Sequence, residues 1–199
     1  MKTYTGKTVD DAVSKACLDL GVTIDQLNYE VTLETKGLFS KKAEIACWTV
    51  EMVQEYIENL IRKILTDMQF EVETVSYVQD GRIYCNINTS NNSILIGKAG
   101  VILRAINLIV KNAVSTTFKK RLEVSVDINS YKEERYKKVA SMARKFGKTV
   151  LRTKADLKLD PMPADERKVM HQEIAKMDHL KTESKGEGKN RYMTISYVD

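Results

Sequence analysis

Two short constellations in the chain carry side chains suited to gripping a phosphate. The first is Gly97-Lys98-Ala99-Gly100, a pair of glycines three positions apart with a lysine between them. Glycines let a backbone approach a phosphodiester strand without a side chain in the way. Lys98 adds a mobile positive charge, and a helix starting just after the loop directs its unbonded N–H groups and positive dipole end at the same place. An ordinary turn between two helices uses glycines in the same way, so the spacing takes its meaning from its surroundings. The second constellation is Arg167 and His171, four residues apart and so on one face of a helix. Arginine offers a permanently charged planar fork that matches phosphate oxygens. Histidine donates a hydrogen bond to phosphate or stacks on a base. Taken alone, such a pair is also a common surface feature.

The remaining candidates point away from catalysis. Gly6-Lys7-Thr8 and Gly147-Lys148-Thr149 echo the end of a phosphate-binding loop. The second would need a glycine at position 142, where the chain has Met142, and Gly6 has no room before it for the loop and its strand. Cys17, Cys47 and Cys85 form no CxxC pair, and with His171 and His179 they give no transition-metal cluster. That spacing fits buried reduced thiols in a cytoplasmic protein. No Ser/His/Asp or Cys/His nucleophile pattern is present, and His171 has no evident carboxylate or metal partner for proton transfer. The expectation is a protein without catalytic residues, metal or cofactor.

Hydrophobic spacing shows which elements must position these residues. Thr8-Val9-Asp10-Asp11 has the form of a helix-capping box. Val9, Ala12, Val13, Ala16, Cys17 and Leu20 follow helical spacing up to Gly21, with strands expected at Tyr29–Thr35 and Ala43–Val50. Between those strands, Lys36–Lys42 is a turn with Leu38 and Phe39 among three lysines. It reads either as a hairpin tip packed on its own helix or as a contact surface for a partner. Glu51–Met68 is an amphipathic helix. Phe70–Val78 and Arg82–Asn88 are strands joined at Asp80-Gly81, a strong hairpin signal. A short helix at Asn91–Ile96 leads into the glycine loop, a longer one spans Val101–Phe118, and Leu122–Ile128 alternates as a strand. A basic helix follows from Ser130 to about Arg152. Pro161 and Pro163 then break the chain before the helix that carries Arg167 and His171. Thr182–Asn190 reads as a polar loop and Arg191–Val198 as a last strand. The fold class is α+β, in three modules: 1–50, 51–129 and 130–199.

Charge is distributed unevenly along this order. The chain carries a formal +5 overall, but residues 51–89 sum to −4 whereas residues 90–129 sum to +4 and residues 130–199 to +6. Positive charge that begins near the glycine loop and continues to the end favours a polyanionic partner, nucleic acid ahead of acidic lipid. No run reaches the roughly 18 apolar residues of a membrane span, and no apolar signal segment follows Met1, so direct membrane insertion is not expected.

Leu95-Ile96-Gly97-Lys98-Ala99-Gly100-Val101-Ile102-Leu103-Arg104, with strands on both sides, resembles a KH domain of the prokaryotic topology, α-β-β-α-α-β. In such domains the GxxG loop clamps the backbone of about four nucleotides. The resemblance assigns that role to Gly97, Lys98, Ala99 and Gly100, with Ile94, Ile96, Leu103 and Arg104 beside them. Ile94, Ile96, Leu103 and Ile106 would build the adjoining groove for bases, although core packing alone also demands apolar residues there. Pro161-Met162-Pro163-Ala164-Asp165-Glu166-Arg167-Lys168-Val169-Met170-His171 resembles the signature of the small single-stranded nucleic-acid-binding domain named for its Arg-xxx-His motif, with Met170 where valine is more common. Thr182–Arg191 resembles that domain's polar loop, which adds Lys189 and Arg191 as auxiliary phosphate contacts.

The first fifty residues resemble a third piece, found with the other two in the Jag family, also called KhpB, EloR or SpoIIIJ-associated protein. The hairpin tip departs from the family, reading Gly37-Leu38-Phe39-Ser40, and the long charged linker of many relatives is absent. The resemblance implies a cytoplasmic, non-enzymatic protein that binds single-stranded RNA, or single-stranded DNA, and regulates RNA in connection with bacterial cell-envelope growth or sporulation. It also implies pairing with a small KH-only protein, or with itself through the KH domain, and links to a membrane-associated partner. The alternative it leaves open is an adaptor whose modules chiefly dock other proteins.

Overall fold

The computed structural model describes residues 1–36 and 41–199. The hairpin tip at 37–40, and with it both readings of Leu38 and Phe39, lies outside the described residues. The chain falls into two compact units, Met1–Asn129 and Ser130–Asp199.

The first unit begins with β1 (Lys2–Gly6), α1 (Val9–Leu20), β2 (Asn28–Lys36) and β3 (Lys41–Trp48), the strands forming an antiparallel sheet in the order β1-β3-β2. Thr8 caps α1 by accepting from the Asp11 N–H, and Gly21 ends it in the left-handed conformation. Ala12, Val13 and Ala16 of α1 pack on Ile45 and Cys47 of β3. The strand ends one residue before Thr49, earlier than the alternation suggests, because the Thr49 hydroxyl accepts from Met52 N–H and starts α2 (Val50–Asp67). There β4 (Glu73–Gln79), β5 (Arg82–Asn88), α3 (Asn92–Ile96), α4 (Val101–Phe118) and β6 (Val124–Ile128) follow in the expected order. The second sheet runs β4-β5-β6, with β5 and β6 parallel. Ile83, Cys85 and Ile87 face the buried side together with Val124, Val126 and Ile128, beneath α2 and α4. Burial pushes the Cys85 thiol up to about 12, so it is an inert core residue.

The end of α4 packs against the first sheet and against α2. Phe118 sits edge-on to both Trp48 and Tyr56, each at 5.4 Å. Around it, Lys119 pairs with Glu30 at 3.0 Å, Lys120 donates to Asn28 at 2.9 Å, and Thr117 donates to the Tyr56 hydroxyl.

The segment Asn92–Phe118 contains an 18-residue window with a mean hydropathy of 1.8, enough to cross a membrane by length and composition alone. It is nonetheless broken at Gly97–Gly100 and carries Lys98, Arg104 and Lys111. Leu103, Val110, Val114 and Phe118 bury one side of α4, while Val101, Ile102, Leu108 and Ile109 remain exposed on it.

The second unit packs α5 (Tyr131–Thr153) and α6 (Ala164–Ile174) on one face of a small sheet ordered β7-β9-β8, with β7 at Leu157–Lys158, β8 at Leu180–Lys185 and β9 at Tyr192–Tyr197. Val139, Ala143, Val150, Met170 and Ile174 meet Met193 and Ile195 in its core. Much of the expected polar loop Thr182–Asn190 is strand: β8 extends through Lys185 and pairs antiparallel with β9. The inward residues of that edge strand, Thr182 and Ser184, are polar, so no apolar alternation marks it in the sequence.

β6 is an edge strand, and Asn107 of α4 serves it as a neighbour. Its amide donates to Leu103 and Val126 carbonyls at 3.0 and 2.8 Å, and its carbonyl accepts from Val126 N–H at 2.8 Å. Asn107→Leu removes all three bonds from a half-buried site and lowers stability by about 2 kcal/mol. Urea unfolding checks this, and an unchanged midpoint would contradict it.

Candidate nucleic-acid interface

The glycine loop is a compact reversal between α3 and α4. Gly97 (φ 70°), Ala99 (φ 51°) and Gly100 (φ 73°) all adopt positive φ. At Gly97 a side chain is doubly excluded, since a Cβ there would stand 2.7 Å from Ile102 Cγ1. The Gly97 N–H donates to Ser93 O, Gly100 N–H to Gly97 O, and Val101 N–H to Lys98 O. No side chain caps α4, whose first turn opens on the loop. Lys98 and Ala99 are exposed at its crest. Arg104 reaches back and donates to Ala99 O at 2.7 Å, fixing the loop while keeping its charge beside it.

Around the loop, the side chains divide differently from the sequence expectation. Leu103 is 2% exposed and belongs to the core, so it supports the loop from beneath instead of lining a groove. Ile96 is half-buried, and the apolar surface open to a ligand comes from Ile94 together with Val101 and Ile102. Apolar residues cover more than one face of α4, so its helical pattern alone does not single out the side that packs.

In the second unit, Arg167 and His171 project from α6 toward the edge strand β8. The Arg167 guanidinium donates from Nε to Met162 O at 3.2 Å and from Nη1 to the Ser184 hydroxyl at 2.5 Å. His171 Nδ1 is bonded to the Thr182 hydroxyl, which leaves Nε2 as the ring nitrogen available to a ligand. These side chains line an open cleft of about 440 Å³ together with Lys168, Arg191 and Met193. Three permanent cations and a histidine thus share a concavity whose lining contains no carboxylate. A phosphate finds charge-assisted donors there, and Met193 with the aliphatic stems provides an apolar wall. Lys189 is exposed in the adjoining 3-10 turn Gly188–Asn190 and does not line the cleft.

Lys168, Thr182 and Ser184 escaped sequence reasoning. Lys168 adjoins the motif, and the two hydroxyls carry a signal only once β8 is known to be a strand, because residues two apart then share a face.

Charge on α5 is partly committed inside the unit. Arg135 forks onto Glu166, Nε to Oε1 at 3.0 Å and Nη2 to Oε2 at 2.8 Å, with the Glu166 side chain 5% exposed. Tyr136 donates to Asp165 at 2.8 Å, and Arg144 pairs with Glu173 at 2.7 Å. Lys176 and Arg144 together hold the Glu173 carboxyl below its usual range. These bonds tie α5 along α6 and so set the face that bears Arg167 and His171. Arg135→Ala strands a buried carboxylate. Breaking a fully buried pair costs about 3–5 kcal/mol, and the partial exposure of Arg135 reduces this to about 2 kcal/mol. Thermal unfolding should show the loss, with Arg135→Lys recovering only part of it because lysine lacks the fork; an unaffected Arg135→Ala would refute the role.

Comparison with known proteins gives two family matches: the R-three-H domain, named for its Arg-xxx-His motif, over residues 137–197, and the Jag N-terminus over residues 4–46. The RNA-binding protein KhpB of Clostridium symbiosum is 30% identical over 202 residues, covering 98% of this chain and 91% of that protein. The RNA-binding protein KhpB of Bacillus subtilis (strain 168) is 29% identical, covering 98% and 97%. That of Streptococcus pneumoniae serotype 2 is 28% identical over 146 residues, 73% of this chain and 44% of the relative.

Proposed function

The chain belongs to the Jag family, the family of the RNA-binding protein KhpB, and from that premise we propose that it binds single-stranded RNA through two sites. The observation that carries the reading is the carboxylate-free cleft of Arg167, Lys168, His171 and Arg191. The second site is the Gly97–Gly100 loop, with Lys98 and Arg104 beside it and Ile94, Val101 and Ile102 as the surface on which unstacked bases rest. Residues 1–50, 51–129 and 130–199 act as Jag N-terminal, KH and Arg-xxx-His modules. Gly97, Lys98, Ala99 and Gly100 hold the sugar–phosphate strand. Arg167, His171 and Arg191 hold a further phosphate, and Lys189 lies near its exit. Ile96 and Leu103 back the groove without touching RNA.

Backbone contacts of this kind set affinity and carry no base identity. Two weak sites on one chain raise overall affinity through effective concentration when one strand reaches both. The protein works by binding in the cytoplasm and not by catalysis, as a regulator of RNA linked to cell-envelope growth or sporulation.

A second reading rests on α4. Leu108 and Ile109 are 60% and 51% exposed, beside a shallow apolar groove formed with Ile61, Ile64 and Ile106. Exposed apolar surface of this kind suits a protein contact, and the occupant is a small KH-only protein or a second KH domain. A contact to a membrane-associated partner belongs to this reading too.

One experiment separates the readings: anisotropy of a labelled single-stranded RNA with wild type, with Lys98→Asp/Ala99→Asp, and with Arg167→Ala. Each variant should weaken binding at least about thirtyfold, on the scale of lost charge-assisted contacts, while circular dichroism stays unchanged. A folded pair of variants with wild-type affinity would remove RNA from these sites. RNA-independent recovery of a KH-only partner by all three proteins would then favour the docking reading.

A further inference from the structure

The helix-free face of the third sheet is the strongest unassigned surface. Register places Lys185 opposite Tyr192, Glu183 opposite Thr194, and Lys181 opposite Ser196, with Lys158 on the far side of Thr194. Met193 and Ile195, which alternate with these residues, point into the core, so this set shares the opposite, open side. Its floor is small and hydroxylated, Thr194 and Ser196. Its sides are lysines: Lys158 on β7, and Lys181 and Lys185 on β8, all exposed. Two interstrand spacings separate those sides by about 10 Å, which leaves room for a single polymer strand laid flat. Tyr192 closes one end, with Lys158 Nζ 4.4 Å from its ring centre.

Electrostatics points to the kind of occupant. Among the described residues of this set, Glu183 is the single acid and is already paired with Lys185 at 3.2 Å. Lys158 and Lys181 have no carboxylate partner among the described residues. A β-sheet interior of hydroxyls flanked by unneutralised lysines, with a tyrosine ring at one end, suits a polyanion that also carries flat bases. The cleft lies on the other side of β8 and β9, where Thr182, Ser184 and Met193 line it, so a strand passes from one to the other around the end of the β8–β9 hairpin. Lys185 and Tyr192 bracket the loop bearing Lys189 and Arg191, and Arg191 lines the cleft beside Arg167. From Tyr192 to Ser196 the track extends about 14 Å at strand rise, enough for several nucleotides.

We infer that a single strand of RNA seated in the Arg167/His171 cleft continues past Arg191 onto the open face of the third sheet, where Lys158 and Lys181 hold its phosphates and Tyr192 stacks on a base. This rests on the proposed RNA binding and extends it from a point contact to a path.

The test uses the full chain with Lys158→Glu/Lys181→Glu, and Lys41→Glu/Lys63→Glu as a charge-matched control in the first unit. Three probes are titrated: a dinucleotide, a single-stranded RNA of about twelve nucleotides, a length in the range that one module tracks, and a polyglutamate peptide. The inference predicts at least about tenfold weaker binding of the longer RNA only, with a salt slope shallower by about 1.4, the share of two phosphates. The control pair should change neither RNA affinity by that much. A longer RNA bound as tightly as by wild type, with Arg167→Ala still impaired, would overturn the path and leave the cleft standing. Equal loss for both RNA probes would also overturn it, since a long-range field and not a track would be responsible. If only the polyglutamate peptide lost affinity, the face would serve an acidic protein segment and the inference would fail. Wild type without RNA affinity would remove the path and the proposed function together.

Discussion

A cation meant for a ligand must be held in place without being neutralised, and the chemistry of the candidate sites follows from that constraint. A carboxylate would position an arginine firmly and cancel its charge at once. In the cleft, Arg167 is instead held by the Met162 carbonyl and the Ser184 hydroxyl, and His171 by the Thr182 hydroxyl. Beside the glycine loop, Arg104 is held by the Ala99 carbonyl. Neutral acceptors orient these groups and leave their charge for an incoming phosphate. The arginines that fasten structure have the other kind of partner: Arg135 takes Glu166, Arg144 takes Glu173, and Arg82 takes Glu123.

That division works in the second unit because a helix and a strand happen to share a length. Four residues along a helix rise about 6 Å, and two residues along a strand about 6.8 Å. Arg167 and His171 therefore meet Ser184 and Thr182 in matched rungs, the helix and the strand running in opposite directions. The Arg135–Glu166 fork fixes the helix beside its neighbour, and the pairing of β8 with β9 fixes the strand. The side chains that contact a ligand are thus located by groups that do not.

Much of this was legible in the sequence where periodicity or backbone chemistry left a mark. Thr8 and Gly21 bracket α1, Asp80-Gly81 turns the second hairpin, and the two prolines set off α6 as their chemistry dictates. The glycine loop was recognisable from its two glycines three apart between helical patterns, and the structure supplies the reason for the first: Gly97 takes positive φ, and a Cβ there would stand against Ile102. What could not be read was pairing across the chain. β8 carries no apolar alternation, so Thr182 and Ser184 looked like loop residues. Leu103 and Ile102 have the same apolar character in sequence, yet one is core and the other open surface, a distinction that depends on which way α4 faces. Nor does sequence say which arginines of a basic helix are engaged by acids some thirty residues away, as Arg135 is by Glu166, 31 positions on.

The central claim is that unneutralised side-chain charge on this chain grips the backbone of a single strand of RNA. Its most direct test is the affinity of the full chain for a short, unstructured RNA measured across a series of salt concentrations. The account predicts that log K falls linearly with log salt, with a slope of about −3 or steeper, at roughly −0.7 for each phosphate contacted. Affinity that barely changes with salt, or a slope no steeper than a single contact would give, would contradict it.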